Sequence, residues 1–542
     1  MLVCRNMEPQ MSTPRRLAAG ILASAALTAV ALAMTITATA RISAAAPPQS
    51  RAKAAAHPAA AGSCDSLTSL ALPGVKITAA QTVAAGTFSV PGAARQNPSF
   101  KQLPEFCRVV ATLEPSSDSH IGMELWLPTQ NWNGKFLAVG NGGWAGNIVT
   151  DAIATGVGKG YAAASNDTGH QDAGAAFATH PERVIDFGYR AMHEMTVRSK
   201  TIVQTFYNRA PQLSYYQGCS TGGRQGLMEA QRYPDDFDAI VAGAPVNNQV
   251  RLNVSQTALQ VEMLKDPSRI VPPAKVTLFA NAVMAACDAN DGVKDNIISN
   301  PLACKFDPGT LLCKAGDAAD CLTAPQVASA KQLYSPVMSK KGEKVYPGRM
   351  PGVEAGWTAR IPTAGAPMNP LWGDMPRYVG HRDANWDVMS FDLDTDLALA
   401  LKNASFIEST DPNLAKFKAR GGKLLLWHGW ADPGPSPQNT INYYSDVART
   451  LGGKQDDWMR MFFLPGVGHC GGGVGPDQAD FFGALERWRE QGTAPDQIIA
   501  SRNPGRGGLP PMTRPLCPFP QVAKYKGTGS TDEAANFVCA AP

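Results

Sequence analysis

Gly218-Cys219-Ser220-Thr221-Gly222 sets a serine between two glycines in a G-x-S-x-G pattern. A serine hydroxyl is a poor nucleophile until a base takes its proton, and acyl transfer also needs N–H groups aimed at the oxyanion that develops. A sharp strand-to-helix turn supplies both. It lifts the serine out of the chain, exposes the first N–H groups of the helix, and leaves no room for side chains at the flanking positions. SYYQGCS has strand character before the serine and GRQGLMEAQRY helical character after it. The pattern alone is common, because glycine-rich turns are; the flanking elements give it weight.

The base must be a histidine, and the order Ser, Asp, His along a chain is that of α/β-hydrolases. Of eight histidines, His469 closes the strand-like run MRMFFLPGVGHC, and Asp432 closes GGKLLLWHGWAD in the same manner. His428 is the rival base, but it lies inside its strand run, where a structural histidine with satisfied partners is expected. Asp446 falls on a helix and Asp456 and Asp457 in a polar loop, so all three are expected to be solvated. Ser220, Asp432 and His469 are therefore the candidate catalytic residues.

The chain has eleven cysteines and no C-x-x-C, which removes the main support for zinc-ribbon or thioredoxin-type chemistry. Cys4 lies in an amino-terminal leader. The remaining ten are an even number, as disulfides in an exported chain require. Proximity suggests Cys287 with Cys304, Cys313 with Cys321 and Cys517 with Cys539, while Cys64 and Cys107 bracket the start of the folded region. That leaves Cys219, beside Ser220, and Cys470, beside His469. If those two pair, their Cα atoms lie within roughly 4.4 to 6.8 Å, and the serine and histidine become neighbours of one covalent bridge. The other reading of Cys219 is a thiol nucleophile.

The elements that must position these groups show a βαβ rhythm. GMELWLP and KFLAVG are expected strands, RVIDFGYRAMHEMTVRSKTIVQTFY is apolar at helical spacing, and DAIVAGAP is a buried strand. From about 250 to 400 the rhythm breaks into a proline-rich stretch with two local cysteine pairs. Sheet-like sequence then returns, with INYYSDVARTL and ADFFGALERWREQG as helices. The expectation is an α/β fold: a catalytic domain from 63–250 and 405–542, with 251–404 inserted.

Residues 1–46 carry Arg15-Arg16, the apolar run LAAGILASAALTAVALAMTITATA and then small residues, the pattern of a secretory signal cut near Ala46; an uncleaved anchor is the alternative. Residues 47–62, rich in Ala and Pro, form a tether. A secreted or periplasmic chain with no stable membrane insertion after cleavage is expected. Of the formal charge of +4, the leader holds +3 (four arginines, one glutamate), leaving +1 for the rest. Near-neutrality argues against a nucleic-acid partner; a small-molecule substrate is expected.

GCSTGGRQG, HGWAD and GVGHCGGG together resemble the tannase and feruloyl esterase family, which includes bacterial mono(2-hydroxyethyl) terephthalate hydrolases. The resemblance covers nearly everything after the leader, including the layout of five cysteine pairs. It implies an α/β-hydrolase core with an inserted lid domain, Ser220 as nucleophile, His469 as general base and acid, and Asp432 as the group orienting it. It implies Thr221 as one oxyanion donor and Gly143, with Gly142 the alternative, as the other. Hydrolysis of hydroxycinnamoyl esters is the first expectation; galloyl or terephthalate monoesters are alternatives, and a non-catalytic exported Ca²⁺- or carbohydrate-binding protein is the alternative of another class.

CDANDGVKDNI holds Asp288, Asn290, Asp291 and Asp295, a density of hard oxygen donors that suits Ca²⁺ or, equally, an acidic surface turn. It is not an EF-hand, because Gly292 falls at the fifth position and Ser299 at the twelfth, where glutamate belongs. The family resemblance implies a structural calcium held by Asp288, Asp291 and Asp295 with the carbonyls of Val293 and Ile297. Trp144, Trp357, Trp372, Trp386 and Met389 are candidates for an aromatic-binding surface, and Arg349, Arg360, Arg377 and Arg382 for contact with an acidic substrate.

Overall fold

The computed structural model describes residues 62–542 except 91, 94, 145, 173, 363–367 and 503–507. The expected leader, and the tether up to residue 61, lie outside the described residues.

Runs of apolar residues with β-branched and aromatic side chains build a nine-stranded sheet: β1 (Val75–Val83), β2 (Phe106–Leu113), β3 (Ile121–Pro128), β4 (Lys135–Val139), β5 (Ala162–Asn166), β6 (Leu213–Cys219), β7 (Ala239–Gly243), and, after a small hairpin of β8 (Val337–Met338) and β9 (Lys344–Tyr346), β10 (Lys423–Gly429) and β11 (Met459–Leu464). The order across the sheet is β1-β2-β3-β5-β4-β6-β7-β10-β11. From β5 to β11 every pairing is parallel. β1, β2 and β3 add an antiparallel edge that joins β5.

Parallel strands are covered on both faces, so each must be apolar on both. Successive side chains of a strand point to opposite faces, and the packing follows that period. Phe136, Ala138, Ile240, Ala242, Leu424 and Leu426 face one core with Met195, Ile202, Leu227 and Val447 of helices Ala191–Tyr207, Thr221–Arg232 and Pro437–Thr450. Leu137, Val139, Ala239, Val241 and Leu425 face the other, with Ile153, Val157, Leu485 and Trp488 of helices Thr150–Gly158 and Phe481–Gln491.

Among the described residues, the chain between β7 and β10 gives no strand to this sheet. It carries helices Gln249–Lys265, Pro273–Cys287, Ala324–Tyr334 and Leu393–Ala404. Part of it builds a core of its own, where Phe279, Val283, Leu333 and Trp357 pack behind the Cys287–Cys304 bridge. Another part shares a core with residues 144–187, where Val254, Met375 and Val379 meet Trp144, Phe177 and Phe187. The inserted segment is thus packed onto the sheet domain, and the described residues belong to one compact unit. All five expected disulfides are present: Cys64–Cys107, Cys219–Cys470, Cys287–Cys304, Cys313–Cys321 and Cys517–Cys539. No helix among the described residues is long and apolar enough to cross a membrane.

Candidate active site

Four loops leave the carboxyl ends of parallel strands on the same edge of the sheet, where ligands bind in open α/β folds. The loop after β4 carries Gly142 and Gly143, the turn after β6 carries Ser220, and the loops after β10 and β11 carry Asp432 and His469.

Ser220 has φ +65° and ψ −123° at the turn from β6 into the helix Thr221–Arg232. A non-glycine residue held there costs of order 1–3 kcal/mol, which the surroundings must over-determine. They do. The Ser220 N–H donates to the Gly243 carbonyl at 3.0 Å, and its carbonyl accepts from the N–H groups of Arg224 (3.0 Å) and Val246 (3.2 Å). The glycines on either side are steric requirements. A Cβ on Gly218 would stand 2.7 Å from the Gly222 carbonyl, and one on Gly223 would stand 2.3 Å from the Gly243 oxygen.

β11 lies three strands from β6, roughly 14 Å at about 4.8 Å per strand, so its loop must carry His469 back across the sheet edge. It passes tightly over the end of β10, where a Cβ on Gly429 would stand 2.3 Å from the Val467 oxygen. Ala431 N–H donates to that same carbonyl at 2.9 Å. The Cys219–Cys470 bridge then ties the loop to the residue before the serine, with Cα atoms 5.9 Å apart. Cys219 is therefore not a free thiol, and the thiol-nucleophile reading loses its group.

The result is a continuous hydrogen-bonded line. His469 Nε2 is 2.7 Å from Ser220 Oγ, and His469 Nδ1 is 2.6 Å from Asp432 Oδ2. Asp432 is fully buried. Its Oδ1 accepts from the Gly434 N–H at 2.7 Å, and its Oδ2 also meets His428 Nε2 at 3.0 Å. Burial would raise its carboxyl, but the neighbouring His469 and His428 imidazoles, both hydrogen-bonded to it, prevail and hold it well below the usual carboxylate range. An ionised carboxylate only accepts, so both imidazoles donate to it. His469 therefore turns a free Nε2 lone pair toward the Ser220 hydroxyl. His428 Nδ1 in turn accepts from the Thr440 hydroxyl at 2.8 Å. His428 is the structural histidine expected from its place inside the strand, but its partner is the acid of the site itself.

Thr221 is the first residue of its helix, so its N–H has no acceptor within the helix. Its hydroxyl donates to the Gly143 carbonyl at 2.8 Å, which draws the β4 loop against the serine turn. Gly143 has φ +57°, a conformation glycine adopts freely. Asn141 and Gln225 brace this junction reciprocally: the Asn141 N–H donates to Gln225 Oε1 at 3.0 Å and Gln225 Nε2 donates to Asn141 Oδ1 at 3.1 Å. Sequence reading missed both; their only signal is that each lies within five residues of a candidate site glycine or serine.

The aromatic candidates divide. Trp144 is a core residue at 1% exposure, packed on Phe177 and Phe187, so its place beside a glycine pair does not make it a pocket wall. Trp357 and Trp372 are also buried, Trp386 stacks on His381, and Met389 is exposed. Arg360 lies over Trp372 at 4.1 Å, and Arg349 Nε donates to the Pro433 carbonyl at 2.8 Å. Both arginines thus pack behind the Asp432 loop. Leu371 reaches the site from the inserted segment: a Cβ on Gly143 would stand 3.2 Å from its Cδ2. A cleft of about 430 Å³ opens beside His469, walled by Trp430 and Pro433 and, from the inserted segment, by Met284, Ile298 and Val353.

In the acidic loop, Asp288 accepts from the N–H groups of Asp295 (3.2 Å), Asn296 (3.1 Å) and Ile297 (3.1 Å), and Asp291 accepts from Val293 at 2.9 Å. Asp295 pairs with Arg514 at 2.6 Å. Burial raises the Asp295 carboxyl, Arg514 opposes this, and Asp291 and Asp288 add to it. The three carboxylates around this turn are hard oxygen donors of the kind a dication takes, and here they are engaged by backbone N–H groups and by Arg514.

Residues 107–540 match the family described as tannase and feruloyl esterase. The chain is 35% identical over 454 residues to a probable feruloyl esterase B-2 of Aspergillus terreus, covering 80% of this chain and 85% of that protein. It is 32% identical over 533 residues to the mono(2-hydroxyethyl) terephthalate hydrolase of Piscinibacter sakaiensis, covering 83% and 87%. The crystal structure of feruloyl esterase B from Aspergillus oryzae superposes with a TM-score of 0.82 at 31% identity, over 88% of this chain and 99% of that one.

Proposed function

We propose a mechanism for this chain, which belongs to the tannase and feruloyl esterase family of carboxylic ester hydrolases. His469 Nε2 takes the proton of Ser220 as Oγ attacks the ester carbonyl. The imidazolium formed is held by Asp432, itself fixed by His428 and the Gly434 N–H. The N–H groups of Thr221 and Gly143 stabilise the oxyanion; one such donor is worth about 10²–10³ in rate. The intermediate collapses as His469 protonates the leaving alcohol, which leaves an acyl group on Ser220. Water, activated by the same Nε2, then releases the acid. The observation that carries this reading is the pair of contacts at His469, 2.7 Å to Ser220 and 2.6 Å to Asp432.

The acid released is a hydroxycinnamate in our reading, with gallate or terephthalate as the alternatives. The relatives named as probable feruloyl esterases and a cleft large enough for a phenolic ring support it. The test is a panel of methyl ferulate, methyl gallate and a terephthalate monoester. The highest kcat/KM is expected on methyl ferulate; a tenfold or greater preference for either other ester would overturn this substrate assignment.

We further propose that the inserted segment acts as a lid that places Leu371 over the acyl site. A structural Ca²⁺ would be held by the carboxylates of Asp288, Asp291 and Asp295 and the carbonyls of Val293 and Ile297. The bound ion would neutralise their mutual repulsion and rigidify the loop behind Cys287–Cys304. Five disulfides support export to an oxidising compartment.

A further inference from the structure

Glu229 sits on the helix that begins at Thr221, nine residues beyond the nucleophile and so roughly 13 Å along the axis at about 1.5 Å per residue. It is 1% exposed, and among the described residues neither of its carboxylate oxygens meets a hydrogen-bond donor. Facing it is a second buried carboxylate, Asp236, from the loop into β7. Two carboxylates cannot share a buried space without either a proton or a cation between them.

The third member favours a cation. His193, near the start of the helix Ala191–Tyr207, lies with Nδ1 2.7 Å from Asp236 Oδ2. One ligand atom from each of His193, Glu229 and Asp236 falls within 4.8 Å of the other two. Zinc-class ions bind imidazole nitrogen and carboxylate oxygen at about 2.0–2.2 Å in a tetrahedron, so ligand atoms lie about 3.3–3.6 Å apart, and side-chain rotations of about an ångström close the set. The imidazole plane is already fixed by stacking on Tyr233, 3.8 Å away and within 8° of parallel. The nearby Lys200 ammonium donates to the backbone carbonyl of Asp236 and leaves the oxygens of Glu229 free. The His193 side chain is 28% exposed, which gives an ion a path from solvent and room for a water ligand.

We propose that His193, Glu229 and Asp236 form a binding site for a zinc-class divalent cation, which clamps the far end of the nucleophile helix to its neighbour. It is separate from the Asp288 loop in residues and in donor type: imidazole selects a borderline metal, whereas an all-oxygen set selects calcium. Its role is structural, since Glu229 lies about two and a half helical turns from Ser220.

The test uses the full chain, stripped with chelator and dialysed against zinc chloride in excess calcium chloride, with bound zinc measured by elemental analysis. One zinc equivalent per chain is expected, together with a rise in Tm. The equivalent should be lost in Glu229→Gln and in His193→Gln, and kept in Asp288→Asn and in His469→Ala, which control for the acidic loop and the catalytic imidazole. Cobalt chloride should give visible d–d bands in the native protein and none in His193→Gln, a readout on native protein should Glu229→Gln fail to fold. The proposal is overturned if Glu229→Gln folds and keeps its zinc equivalent. It is equally overturned if the native protein binds none: the carboxylates then share a proton, and Glu229→Gln leaves Tm unchanged or higher.

Discussion

Removing the Cys219–Cys470 bridge, as Cys219→Ala/Cys470→Ala, separates positioning from stability. For a sequence separation of 251 residues, the loop-entropy relation gives a nominal loss of about 5.5 kcal/mol. Measured losses fall below that relation, typically at about 2–4 kcal/mol, so a loss of about 3–4 kcal/mol is expected. Without the bridge the His469 loop keeps several backbone ties, among them Ala431 N–H to the Val467 carbonyl, Gly468 N–H to Gly472 and Val474 N–H to Gly466. The loop should therefore stay folded while the imidazole, carried by residues with positive φ from Cys470 to Gly473, drifts by about an ångström. A displacement of that size costs about a hundredfold in rate, near 2.7 kcal/mol of transition-state stabilisation. The assay is steady-state hydrolysis of methyl ferulate well below the variant's Tm, with Tm followed in parallel. The expected result is kcat lowered about a hundredfold, KM within twofold, and Tm reduced. If Tm falls while kcat stays within twofold of the native value, the bridge only stabilises and the positioning argument fails.

Further outcomes follow from other parts of the structure. His428→Asn removes a hydrogen bond to a buried carboxylate, worth about 1.5–3 kcal/mol; kcat should fall roughly ten- to hundredfold with KM unchanged, and an unchanged kcat would deny that His428 holds Asp432. Burial pushes the Asp167 carboxyl up to about 6 against the N–H groups of Gly169 and Gly122. A raised carboxyl favours the protonated native state, so this group's contribution falls as pH rises from about 4 to about 6 and is flat above. Asp167→Asn keeps an acceptor and removes that slope, so denaturant titration should find it more stable than native by up to about 3 kcal/mol at pH 8 and little changed at pH 4; equal stability at both pH values would contradict this. Chelating calcium should lower Tm while leaving kcat of the still-folded protein within twofold, and a Tm unchanged by both chelator and Asp288→Asn would remove the calcium proposal.

The meeting of Ser220, Asp432 and His469 was legible because each closes a strand-like run, and strand ends of a parallel sheet share one edge. The bridge was legible because its two cysteines adjoin those same residues. The antiparallel edge of β1, β2 and β3 was not foreseen: in VKITAAQTV the partly buried positions are split by small and polar residues, so the run carries no strong period. The bond from His428 to Asp432 was hidden because it depends on how the chain curls after β10, bringing residues four apart face to face. Trp144 misled for a related reason, since its glycine neighbours mark the site while its own side chain turns into the core with Phe177 and Phe187. The grouping of His193, Glu229 and Asp236 has no sequence signal at all. It depends on two helices packing side by side, and nothing in either helix's own periodicity names its neighbour.

In the proposed mechanism Ser220 carries the acyl group during turnover. This is tested most directly by mixing the protein with excess methyl ferulate, quenching in acid within the first turnover, and mapping the peptides by mass spectrometry. A feruloyl mass increment is expected on the peptide containing Ser220, absent in Ser220→Ala, which should fold with native Tm and hydrolyse no ester. Turnover retained by Ser220→Ala, or an acyl adduct on another residue, would contradict it.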